Sequence, residues 1–179
     1  METDIDSIFC GRPRIYSQTD ASNGFWGIPV RPGDRHKAAF VGPGGMWEYS
    51  GMPQGLKGAP STYARFGDLV FGHHVISGKK IPSVMGYLPH LKTSLFIFVD
   101  DHNMMSETFE DHFHFLAHHY FPRVAWAPIG LSGSKTFLFD DHANSVGFEI
   151  REGRVRPSLK HRTKFAKWKE EYRQEPPKT

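Results

Sequence analysis

Apolar residues fall in short clusters separated by Gly, Pro, Asn and Asp, a spacing that predicts short strands and amphipathic helices rather than one long helical run. Ile15 to Thr19 reads as a strand ending on Asp20, with Ala21-Ser22-Asn23-Gly24 as a turn and Phe25-Trp26-Gly27-Ile28-Pro29-Val30 after it. Ala38 to Val41 and Met46 to Tyr49 flank Gly42-Pro43-Gly44-Gly45, a hairpin signature in which glycines supply positive φ. Pro60 suits the first turn of a helix, and Tyr63, Phe66 and Val70 repeat at helical spacing until Gly72, so a helix is predicted from about Pro60 to Phe71. His73 to Thr93 reads as a long surface loop or insertion. Leu95 to Val99 reads as a buried strand, Asp100-Asp101 as the tip of a hairpin, and Met104-Met105 as its return. From Ser106, with Glu107 and Glu110 in its first turn, a helix is expected to carry Phe109, Phe113, Leu116 and Tyr120 on one face and to end before Pro122. Ser145 to Ile150 with Arg154-Val155 suggests a small hairpin, and Lys160 to Tyr172 a basic helix. The alternation predicts an α+β fold with a mostly antiparallel sheet.

Composition narrows this reading. A chain of 179 residues with 39% hydrophobic and 14% aromatic content can bury a core and is one domain in size. Cys10 is the single cysteine, which excludes an intramolecular disulfide and a cysteine-based zinc finger and fits a reducing compartment. The longest apolar run, Leu95 to Val99, is far below a membrane span, and the N-terminus is acidic (Glu2, Asp4, Asp6), so the chain is expected to be intracellular, in cytoplasm or nucleus, neither secreted nor membrane-bound. Glu175 to Thr179 reads as a frayed end. The net charge of +3 conceals an asymmetry: residues 1–150 hold 12 Lys and Arg against 15 Asp and Glu, and residues 151–179 hold 10 against 4. A basic end of this kind suits a polyanion, although a solvated helix has the same composition.

Three carboxylates stand out because each follows a strand: Asp20, then Asp100 and Asp101 in tandem. Adjacent acids repel, and oxygen ligands of this type suit Mg²⁺ or Mn²⁺, two such ions lying roughly 3.5 to 4 Å apart in phosphoryl-transfer sites. An acidic turn without any ion is the competing reading of Asp100-Asp101 taken alone. His112, His114, His118 and His119 share one predicted helix, but no third ligand joins His114 and His118, so the histidines are read as polar-face residues.

Five motifs in one order carry a family resemblance. Tyr16 to Phe25 is similar to the first catalytic motif of reverse transcriptases, an aspartate followed five positions later by an aromatic. Gly51-Met52-Pro53-Gln54-Gly55-Leu56-Lys57-Gly58-Ala59-Pro60 resembles the nucleotide-positioning motif, and Phe98-Val99-Asp100-Asp101 the aromatic-x-Asp-Asp hairpin. Gly130 to Lys135 resembles the lysine motif, and Val146-Gly147-Phe148-Glu149-Ile150 the primer grip. The sequence thus resembles a reverse transcriptase palm, in particular that of gypsy-type LTR retrotransposons of the fungal type, over roughly Asp4 to Trp168.

The resemblance implies a palm with an antiparallel sheet backed by helices, a ferredoxin-like core, and a partial fingers hairpin. Residues 1–157 would form palm and partial fingers, and 158–179 a basic helix and tail where a thumb begins. It implies RNA-directed DNA polymerase activity with two Mg²⁺ (or Mn²⁺) ions, held by Asp20, the Ala21 carbonyl, Asp100 and, less essentially, Asp101. Lys135 becomes a candidate general acid for pyrophosphate departure, with a plain surface lysine as the alternative. Phe25 resembles the steric gate that rejects ribonucleotides, with an ordinary core phenylalanine as the alternative. Gln54 and Gly55 would meet the incoming dNTP; Arg35 and Lys37 match basic triphosphate contacts, a solvated pair being the other reading. Gly147, Phe148, Arg154, Arg156 and Lys160 would contact primer and template, with Arg151, Arg162, Lys164 and Lys167 along the same backbone.

The sequence departs from the pattern in starting just before the first aspartate motif, in the long 73–93 segment, and in Phe98 where tyrosine is commonest. These departures suit a core fragment of a Pol polyprotein, whose RNase H and integrase segments would be partners. A catalytically inactive nucleic-acid-binding remnant is the alternative from another class. An RNA-dependent RNA polymerase palm shares the carboxylates, but Phe25 argues against it.

Overall fold

The computed structural model describes residues 12–174 except 77, 128 and 146; Cys10, the N-terminal acids, Val146 and residues 175–179 lie outside the described residues. The chain opens with β1 (Ile15–Asp20), a 3₁₀ turn over Pro32–Ala38, and the hairpin β2 (Phe40–Gly42) and β3 (Gly45–Trp47). Helix α1 (Ala59–Phe71) follows, then β4 (His74–Ile76), β5 (Lys79–Ile81), β6 (Gly86–Leu88), β7 (Thr93–Phe98) and β8 (Asp101–Ser106). Next come α2 (Phe109–Phe115), a π-helical turn over Leu116–Tyr120, α3 (Phe121–Trp126) and β9 (Phe137–Asp140). The chain closes with β10 (His142–Ser145), β11 (Phe148–Arg151), β12 (Arg154–Pro157) and α4 (Leu159–Gln174).

The main sheet has the order β6-β7-β8-β1-β9, antiparallel throughout. With β6 set aside, β1-α1-β7-β8-α2-β9 is a βαββαβ unit, the ferredoxin-like arrangement expected of a polymerase palm. A second sheet, β10-β11-β12, packs beside β1 and β8. The period of two along a strand sorts the two faces. Leu95 of β7 and Met104 of β8 join Val70, Phe71, Phe115, Leu116 and Tyr120 in the core under the helices. Tyr16 and Met105 point the other way, against Ala143 and Ile150 of the small sheet.

Five sequence readings are corrected by the structure. Residues 73–93 are not a loop: they hold the β4–β5 hairpin and edge strand β6, whose three-residue strands are too short to show a period. Ser106 ends β8, and Thr108 caps α2 by accepting from the Asp111 amide at 3.2 Å. The helix continues through Pro122 because the π-turn lets Phe121 N–H donate to the Leu116 carbonyl, five residues back, which accommodates a residue that cannot extend an α-helical ladder. Phe109 and Phe113 are exposed, packing on each other and on Phe139, whereas Phe115 and His112 face the core. His102 and His112 are therefore core residues, not polar-face ones.

Their burial follows from hydrogen bonding. His112 bridges Ser17 Oγ and Ser106 Oγ, both at 2.7 Å, and His102 Nδ1 pairs with the Tyr120 hydroxyl at 2.8 Å, which in turn meets Thr19 Oγ1 at 2.5 Å. Desolvation lowers the pKa of each imidazole to about 4, so both rings are neutral near pH 7.

Candidate active site

The site is built from the end of β1 and the β7–β8 hairpin. Antiparallel register sets Asp20 opposite Asp101, and Phe98 opposite Asp101, so Val99 and Asp100 form a two-residue turn. Val99 takes φ 53°, a left-handed conformation in which a β-branched residue is an outlier, so backbone strain is concentrated at the tip. The Ala21 amide donates to the Asp100 carbonyl at 2.8 Å, locking the two segments together, and the Ser132 amide donates to the Asp20 carbonyl at 2.9 Å. Strand parity places the Asp20 and Asp101 side chains on the face away from the helices. There they line a cleft of 310 Å³ with Gln18, Lys135 and Phe137, and Asp140 and His142 lie at the same cleft.

The electrostatics of this cluster are those of a cation site. Burial first, then the Asp20 charge, raises the pKa of both Asp100 and Asp101. The Asp100 Oδ1 atom is buried and accepts no hydrogen bond. The Lys135 ammonium lies on Asp20, 3.2 Å from Oδ1 and 3.1 Å from Oδ2, so a positive charge already stands at the carboxylates. An orphaned buried oxygen and crowded like charges are what a divalent ion would resolve, and the all-oxygen donor set fits Mg²⁺ or Mn²⁺.

The structure brings Phe25 to this cluster: its ring packs on Tyr63 at a centroid distance of 5.2 Å, beside Ala21, Met52 and Ala59. Gln54 is exposed just before α1, and Gly55 takes φ +90°, which a side chain would resist. Arg35 and Lys37 sit on the 3₁₀ turn rather than at a strand edge. The Arg35 guanidinium donates to the Val30 carbonyl at 3.3 Å and Lys37 to Asp34 at 2.6 Å.

Gly147, φ +83°, opens β11 and is covered by His161 of α4, whose Nδ1 lies 2.8 Å from its carbonyl oxygen. Phe148 is partly exposed beside it. Arg156 is paired with Glu149, which also draws Arg162 at 3.6 Å, while Arg151 is paired with Asp141. Arg154 lines a wide basic cleft with Arg12, Arg14 and Arg151, and Lys160 is exposed on α4.

Three contributions escaped sequence reasoning. Tyr63 sits on the apolar stripe of α1 and reads as core, yet its hydroxyl lies beside the Asp100 carboxyl and acts to lower its pKa; a phenol within an apolar repeat was the available signal. Gly24 reads only as a turn residue, yet a Cβ there would lie 2.5 Å from Asp100 Oδ1 and 2.6 Å from the Tyr63 hydroxyl. Asp140, Asp141 and His142 bring three potential ligand atoms within 4.8 Å of one another. No described helix is long and apolar enough to cross a membrane.

Relatives agree with this geometry. The enzymatic polyprotein of Cauliflower mosaic virus (strain Strasbourg) is 30% identical over 155 residues, covering 85% of this chain and 20% of the polyprotein. The genome polyprotein of Petunia vein clearing virus (isolate Hohn) is 26% identical over 147 residues, covering 82% of this chain and 6% of its own. The chain therefore spans a fifth or less of these curated relatives. A foamy viral protease-reverse transcriptase solved with an RNA/DNA hybrid superposes with a TM-score of 0.71 at 21% identity, covering 91% of this chain and 20% of that one, a likeness of fold. Residues 10–150 match the family described as reverse transcriptase (RNA-dependent DNA polymerase), and the chain belongs to that family.

Proposed function

We propose that this chain is the polymerase core of a reverse transcriptase, transferring a nucleotidyl group from a dNTP to a primer 3′-hydroxyl on an RNA or DNA template. The observation that carries the reading is the meeting of Asp20 and Asp101 at one cleft, with Asp100 beside them at the hairpin tip and its Oδ1 atom buried and unpartnered. Asp20 and Asp100 would hold the metals, joined by the Ala21 carbonyl, and Asp101 adds negative potential. Bound divalent ions would acidify the attacking hydroxyl and offset charge on the α-phosphate and the leaving pyrophosphate.

The chain's own residues do the rest. Lys135, already 3.1 Å from Asp20, is the group placed to deliver a proton to the departing pyrophosphate. Phe25 excludes a ribose 2′-hydroxyl by its bulk, and Gln54 with Gly55 orients the nucleotide. Arg35 and Lys37 would exchange their local partners for the triphosphate. Gly147 and Phe148 hold the primer terminus, while Arg154, Arg156 and Lys160 neutralise backbone phosphates independently of sequence. We assign the core to a Pol polyprotein that also carries RNase H and integrase, and to a gypsy-type LTR retrotransposon of fungal type. The viral relatives are polyproteins, which supports a polyprotein context, and the gypsy-type assignment rests on the five ordered motifs.

Primer extension on poly(rA)/oligo(dT) with Mg²⁺ or Mn²⁺ tests the proposal, comparing the chain with an Asp100→Asn, Asp101→Asn version. Extension by the intact chain and loss in the variant is the expected result. If the intact chain extends nothing while still shifting primer-template in a gel, it is a nucleic-acid-binding remnant instead.

A further inference from the structure

Tyr63 is placed where three segments of the site meet. It is buried on α1, its ring packed against Phe25 at 5.2 Å and Phe66 at 6.0 Å, and its hydroxyl lies beside the Asp100 carboxyl. Gly24, next to Phe25 in the chain, closes the gap: a Cβ there would fall 2.5 Å from Asp100 Oδ1, 2.6 Å from the hydroxyl and 2.7 Å from Tyr63 Cζ. One side chain thus touches both the aromatic that faces the sugar and the carboxylate at the hairpin tip.

A phenylalanine would fill the same apolar space against Phe25, Phe66 and Ala59, so packing alone does not call for a hydroxyl. A phenol does call for a polar neighbour, and here the neighbour is a carboxylate crowded by Asp20 and Asp101. A phenol is protonated near neutral pH and is therefore able to donate.

We propose that Tyr63 is a positioning residue that couples metal binding to sugar selection: its hydroxyl orients the Asp100 carboxylate, and its ring fixes Phe25 against the nucleotide sugar. The inference rests on the roles given above to Asp100 and Phe25. The two halves separate chemically, because the hydroxyl can be removed without the ring.

Mn²⁺ titration of the substrate-free chain, followed by electron paramagnetic resonance, measures the first half; the ratio of dNTP to rNTP incorporation measures the second. Tyr63→Phe should weaken Mn²⁺ binding about tenfold and leave the ratio unchanged within about twofold. Tyr63→Leu should weaken Mn²⁺ binding equally and lower the ratio about tenfold. In an Asp100→Asn background, Tyr63→Phe should have no further effect on Mn²⁺ affinity, an outcome that a purely structural tyrosine would not produce. Wild-type Mn²⁺ affinity in folded Tyr63→Phe, or no Mn²⁺ binding by the wild type, overturns the metal half. An unchanged ratio in Tyr63→Leu overturns the sugar half; should Tyr63→Leu fail to fold, Tyr63→Val at the same position replaces it. A wild type that binds Mn²⁺ in a Tyr63-dependent way yet extends no primer refutes the polymerase reading and the sugar half while leaving the metal half standing.

Discussion

Asp-Asp-His occurs twice in this chain, at Asp100-Asp101-His102 and at Asp140-Asp141-His142, each time downstream of a phenylalanine. In the first, burial and then the Asp20 charge raise both carboxyl pKa values, and the histidine is sealed in the core against Tyr120 and Phe71. In the second, Asp141 is exposed, His142 and Arg151 lower its pKa to about 2, and His142 is paired with both neighbouring acids. It is the second trio whose ligand atoms lie within 4.8 Å of one another, yet its charges already have partners. Proximity of acids therefore does not make a cation site. Unsatisfied charge in a desolvated place does, and among these acids Asp100 Oδ1 has it.

The contrast can be broken most forcefully at Asp100. Asp100→Asn should reduce primer extension on the order of 10³-fold, the scale of several kcal/mol of transition-state stabilisation. Asp141→Asn should stay within about twofold of wild type, as suits an exposed ion pair. Equal losses in the two trios would erase the distinction. Gly24→Ala should come next, at about 10²-fold in extension rate, because the new methyl group collides with the Asp100 carboxyl and displaces it. A fully active Gly24→Ala chain would mean that the carboxylate tolerates movement.

Burial can also be tested through stability. The ordinary histidine pKa of 6.5 drops to about 4 for His112, so the neutral ring's contribution is complete above pH 6.5 and is lost as pH falls through 4. Across that window His112 should cost the fold roughly 3 kcal/mol, read as a fall in the urea midpoint, and His112→Gln should flatten about half of the slope, the remainder belonging to His102. A pH-independent wild-type midpoint would contradict neutral burial. The smallest effect is expected at Arg151→Ala, which removes an exposed partner of Asp141 and should leave the unfolding midpoint within experimental scatter.

Much of this was legible because local rules applied. The Gly-Pro-Gly-Gly turn between β2 and β3 and the Pro60 start of α1 follow from turn chemistry and spacing, and the structure has both; the acidic hairpin is present too, shifted by one residue so that Val99-Asp100 make the turn and Asp101 opens β8. Where prediction failed, a tertiary partner outweighed the local signal. β6 is a strand because β7 offers it an edge, Phe115 rather than Phe113 turns inward because the helix is rotated onto the sheet, and Pro122 is carried through by a π-turn. The pairing of Arg151, Arg156 and Arg162 with nearby acids was likewise invisible in a charge count.

By itself the sequence determined the family pattern, the antiparallel α+β architecture and the three acids to watch, because turns, periodicity and motif order are properties of neighbouring residues. Only the tertiary structure decided which of two identical tripeptides keeps a buried carboxylate oxygen without a partner, and that a tyrosine hydroxyl and a missing Cβ at Gly24 frame it. Desolvation and hydrogen-bond partners are set by segments that meet only after folding.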